Sequence, residues 1–159
     1  MINSIPASPA ADFPSRLNEE RAALRAFVVL LEKEQQILLN QSVEQLQALA
    51  EAKTLSALKL TEMGNARRHY INSTSPKLDT AAWILKHAPS CRVIWDDIRE
   101  LAAQAHQLNQ TNGEVIQLKL RSNQQALTAL LGAAKSASGL YGRDGQPSLP
   151  TTGRTLGSG

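Results

Sequence analysis

The sequence predicts an all-α fold: a long antiparallel helical hairpin, a short helix and a long C-terminal helix, packed as a coiled-coil-like bundle and followed by a disordered tail. Three observations lead there. Leu and Ala supply 45 of the 159 residues, against 13 Val and Ile and six aromatics; Leu and Ala favour helix, whereas β-branched and aromatic residues favour strand. No proline lies between residues 15 and 75 or between 90 and 146, which leaves two stretches where long helices can run unbroken. Within both, apolar residues recur every seven positions, the spacing of a coiled-coil seam.

Residues 1–14 (MINSIPASPAADFP) hold three prolines, no Lys or Arg and no apolar run. They read as a disordered leader and not as a secretory signal. The first helix is expected from Ser15 to about Leu39, its stripe formed by Leu17, Leu24, Leu31 and Leu38, with Phe27 and Val28 filling the same side. Its charges balance, with Arg16, Arg21, Arg25 and Lys33 against Glu19, Glu20, Glu32 and Glu34. Asn40, Gln41 and Ser42 interrupt, and Ser42 with Gln45 has the form of a capping box, so a second helix is expected over residues 43–73. The short connection makes the pair an antiparallel hairpin. Lys53 and Arg67 interrupt the second stripe. A short helix is expected from Pro76 to about His87, capped by Ser75 with Pro76 in its first turn.

The longest pattern runs from about Cys91 to Ala134. Ile94, Leu101, Leu108 and Val115 repeat at seven, with Ile98, Ala105 and Asn112 between them. A helix of some 44 residues is about 66 Å long, so its last part is expected to overhang the hairpin. After Gly113 a second stripe begins: Ile116, Leu120, Leu127, Leu130 and Leu131, with Leu118 beside it, while Asn112, Lys119 and Ser122 turn the earlier positions polar. A helix with one partner keeps one stripe; this one changes its apolar face. In residues 136–159, fifteen of 24 are Gly, Ser, Thr or Pro, too few apolar groups to offset the entropy of ordering. The organisation is therefore a leader (1–14), a helical domain (15–135) and a flexible tail (136–159).

Chemistry is hard to find in this chain. Asp96 and Asp97 are adjacent, about 100° apart on a helix, and cannot share a proton; near a helix start they suit its dipole. His87 and Cys91 are separated by Pro89, and no second ligand pair follows. No phosphate loop, dinucleotide fingerprint or nucleophile elbow is present. No catalytic residue, cofactor or metal is expected, and the one cysteine excludes an internal disulfide. With a net charge of +3 the chain is too balanced to indicate nucleic-acid binding. Residues 67–92 carry Arg67, Arg68, Lys77, Lys86 and Arg92 against Asp79, with Tyr70, Trp83 and the nearby Trp95 interleaved, a small excess that an ordinary solvated hairpin end also accommodates. The stripe after Gly113 fits a core or oligomer seam as well as a surface that receives a partner's amphipathic helix.

One set of motifs narrows these readings. Leu108-Asn109-Gln110 with Asn112-Gly113, then Asn123-Gln124-Gln125-Ala126-Leu127, then Leu140-Tyr141-Gly142 with Asp144-Gly145-Gln146 occur in order, and this stretch resembles the C-terminal half of the FlgN family of flagellar export chaperones. The N-terminal half resembles the family in pattern only, and the Pro-rich leader and the tail beyond Pro150 depart from it. The resemblance implies a cytoplasmic, all-α chaperone that binds the C-terminal amphipathic helices of hook-associated junction proteins, prevents their premature assembly and delivers them to the type III export gate. It implies a client-binding face of Val115, Ile116, Leu118, Leu120, Leu127, Leu130 and Leu131, and docking of Tyr141 to the export gate protein FlhA. The export ATPase complex is a further implied partner; nucleic acid and membrane insertion are not expected, and a homodimer stays open. The alternative reading is a structural coiled-coil subunit whose C-terminal apolar stripe is a constitutive oligomer interface. A third is an RNA-binding helical protein using residues 67–92.

Overall fold

A computed structural model describes residues 9–140. Four α-helices follow in order: α1 (Pro9–Asn40), α2 (Leu46–Thr74), α3 (Thr80–His87) and α4 (Arg92–Leu140), with single 3-10 turns at Val43–Gln45 and Pro89–Cys91. The described residues contain no strand. The chain divides into two compact units between Val115 and Ile116.

The first unit holds the core. Leu17, Leu24, Leu31 and Leu38 are all buried, as their seven-residue spacing predicts, and Leu31 is fully enclosed at 0% exposure. The polar contacts give the helix directions. Going up α1, Glu20 pairs with Arg67 and Glu34 with Lys53, so α2 runs antiparallel and the hairpin forms as expected. Arg21 meets Asp97, Glu32 meets Gln104, and Asn112 reaches Leu31 and Glu34, so α4 runs parallel to α1. Its buried line is Ile98, Ala105 and Asn112, flanked by the partly buried Ile94, Leu101 and Leu108.

Four boundaries differ from expectation. Residues 9–14 are not part of a leader: α1 begins at Pro9, six residues before Ser15. Pro9 stands at the first helical position, where a missing N–H costs nothing. Phe13 is 4% exposed and its ring lies 4.5 Å from Trp83 and 5.8 Å from Tyr70, so this turn is held by an aromatic cluster. The Ser42 capping box does not form. The Gln45 amide bonds the Ser42 carbonyl in a 3-10 turn, and α2 starts at Leu46 without a side-chain cap. The chain reverses just before, at Gln41, whose φ of 59° is left-handed, a conformation that disfavours side chains with a Cβ by about 1–2 kcal/mol. Finally, the Ser75 amide closes the last turn of α2 on the Ile71 carbonyl, and Asp79 caps α3 instead, its carboxylate accepting from the Ala82 amide at 2.8 Å. At the far end α4 extends to Leu140, past the expected limit at Ala134, so residues 136–140 are helix and not tail.

Candidate functional site: an uncovered leucine face on the last helix

The second unit, from Ile116 onward, is described only as helix. Every side chain from Arg121 to Ser136 is exposed. Leu127 is 57% exposed and Leu130 68%, and Leu118, Leu120 and Leu131 are similar. Ile116 is half-buried, as is Val115 at the end of the first unit. At about 100° per residue, Ile116, Leu120, Leu127, Leu130 and Leu131 share one face. Leu118 lies on the opposite side of the helix and Val115 at the edge, so helix geometry brings together five of the seven expected residues. Gly113 and Gly132 have open space where a Cβ would stand; neither glycine is needed for a close approach.

Large apolar side chains cluster on a monomer's surface only rarely without a partner to cover them. The line here is regular enough to act as one side of a two-helix seam, with Leu120 and Leu127 seven apart and Leu130 between the turns. Its rim carries Gln117, Gln124, Ala126 and Ala133, with Lys119 as its charge. Such a surface holds a helix by shallow apolar contact. It offers no nucleophile, acid or base.

The first unit shows where the other candidates go. Arg67 points inward, pairs with Glu20 and lies 4.6 Å over the Trp95 ring. Trp83 is buried and its indole N–H donates to Thr74 at 2.9 Å; Tyr70 is 5.6 Å from Trp83. The aromatics of residues 67–92 therefore serve the core and are not a platform for stacking bases. Asp97 does more than suit a helix dipole: it accepts from Arg21 at 2.7 Å, with Arg25 at 3.8 Å. Cys91 is buried, and His87 sits 5.1 Å from the Trp83 ring. Among the described residues no three His, Cys, Asp or Glu gather as a metal set.

Two polar layers had escaped the sequence. Glu20 and Glu34 are buried although charged, and each meets the residue that seemed to interrupt the α2 stripe, Arg67 and Lys53 respectively. Both pairs are spaced by fourteen residues on each helix. The signal was available: Glu20 follows Leu17, and Glu34 follows Leu31, by three residues, the inward-facing offset of a heptad. Glu34 also accepts from Asn112, which is 0% exposed and donates to the Leu31 carbonyl at 2.8 Å and to Glu34 at 2.9 Å.

The fold and this face together define a class: an all-α, long-helix protein with an apolar helix face left uncovered. A family model described as FlgN protein matches residues 10–148, most of the chain, and the chain belongs to that family. Membership carries the role of a flagellar export chaperone. Neither the curated proteins nor the solved structures compared with the chain give a match. No helix among the described residues is long and apolar enough to cross a membrane. Tyr141 and the rest of the motif from residue 141 lie outside the described residues.

Proposed function

We propose that this chain is a cytoplasmic chaperone of hook-filament junction proteins, binding their C-terminal amphipathic helices on the α4 face of Ile116, Leu120, Leu127, Leu130 and Leu131. The observation that carries this reading is the exposure of those leucines on a helix whose earlier turns are buried. A polymerising protein with an amphipathic end needs that end covered before assembly, and by a surface that releases it. Shallow apolar contact on one helix face meets both needs. Capping the client would also block its premature assembly.

Delivery to the export gate is assigned to Tyr141, through the cytoplasmic domain of FlhA. A tyrosine offers large contact area at low entropy cost and one hydroxyl for a hydrogen bond, which suits a short recognition motif. In sequence it directly follows Leu140, the last residue of α4.

Size exclusion with light scattering, with and without a junction protein's C-terminal segment, tests the client reading. A shift to a one-to-one complex is expected. A permanent oligomer indifferent to the segment overturns it in favour of a structural coiled-coil subunit. Tyr141→Ala separates the two partners: client binding should survive while FlhA binding of the loaded complex falls at least about tenfold, about 1.4 kcal/mol. Equal loss of both places Tyr141 in the client site.

A further inference from the structure

The described part of the second unit carries charge of one sign. Between Val115 and Leu140 the chain has Lys119, Arg121 and Lys135 and no Asp or Glu. On the leucine face itself stands one polar residue, Asn123, at an inward seam position between Leu120 and Leu127; Lys119 lies one turn before it, on the face's edge.

The first unit shows what such an asparagine does. Asn112 also occupies an inward position of α4, and its amide donates to the Leu31 carbonyl and to the Glu34 carboxylate of the helix packed against it. That carboxylate is held from its other side by the Lys53 ammonium at 3.1 Å. An asparagine, a lysine and one carboxylate from the opposing helix thus close a polar layer. Asn123 is eleven residues further along α4, about three turns. It comes with a lysine and without the carboxylate.

We propose that the occupant of the leucine face is an acidic amphipathic helix of another protein, and that Asn123 and Lys119 together seat one of its carboxylates and so fix its register. This rests on the reading of that face as a client site and adds what the client must carry: an acidic residue on the apolar helix face, at the place Glu34 holds on α1, three residues after an apolar one. One argument sets a second copy aside as the intended occupant: its own leucine face brings no carboxylate.

The experiment is calorimetric titration of the full chain with the synthetic C-terminal segment of a junction protein and with a series in which each Asp or Glu is replaced singly by Asn or Gln. Lys119→Gln and Asn123→Ala are tested beside the parent, each checked for an unchanged thermal transition. One carboxylate replacement should weaken binding about tenfold to the parent chain and have little further effect on Lys119→Gln, the signature of a coupled pair. Asn123→Ala should shrink the same preference. The preference should also fall as salt rises, because the pair is near solvent. If no carboxylate couples to Lys119 or Asn123 while Leu127→Ser with Leu130→Ser still abolishes binding, the seat is wrong and the client face stands. If the parent chain binds none of these segments, both fall together.

Discussion

The two ends of α4 obey different rules. Before Val115 its inward line of Ile98, Ala105 and Asn112 is buried against the hairpin, and even its asparagine has lost all contact with water. From Leu118 to Leu131 its leucines are more than half exposed. Helix propensity hardly distinguishes the stretches, since both are rich in Leu, Ala and Gln. What differs is the cover: α1 packs on the first stretch, and the client of the proposed function would pack on the second. A periodic apolar stripe therefore states that a helix will be covered without stating by what.

That contrast sets the expected cost of substitutions. The largest effect belongs to Leu31→Asp, which buries a charge at a fully enclosed site. It should cost more than about 4 kcal/mol and unfold the first unit in thermal melts, whereas Leu127→Asp should leave the same transition in place. Phe13→Ala comes next. With its ring packed on Trp83 and Tyr70, truncation should cost about 3 kcal/mol, measurable by denaturant titration; a neutral result would return residues 9–14 to the status of a leader. Asn112→Ala removes a donor from buried Glu34 and should cost about 2 kcal/mol, while Asn123→Ala, at an exposed site, should stay within about 0.5 kcal/mol. One modest change is a gain. Gln41→Gly relieves the left-handed φ behind α1 and should stabilise by about 0.5–1 kcal/mol.

Much of the architecture was legible because one physical signal dominated it. The leucines at 17, 24, 31 and 38 announced a seam, and the break at residues 40–42 announced the hairpin. Legibility failed where two signals competed. Pro6, Pro9 and Pro14 read as disorder, because the pairing of Phe13 with Trp83 is seventy residues away in sequence. Ser75-Pro76 looked like a helix start until Asp79 offered the better cap. Lys53 and Arg67 looked like flaws in a stripe because a charge is cheap only if its partner is also inside, and Glu34 and Glu20 are on another helix. The candidate face was visible as a second stripe, but which residues share it was not: helix geometry sets Leu118 on the far side and Val115 at the edge.

The most direct test compares two measurements on one variant, Leu127→Ser with Leu130→Ser in the full chain. Its thermal transition should match the parent's within a degree or two (about 0.5 kcal/mol), because both side chains are exposed, while capture of a junction protein's C-terminal segment should be lost. A variant that melts markedly earlier would show these leucines to be core, and one that binds as the parent does would place the client elsewhere.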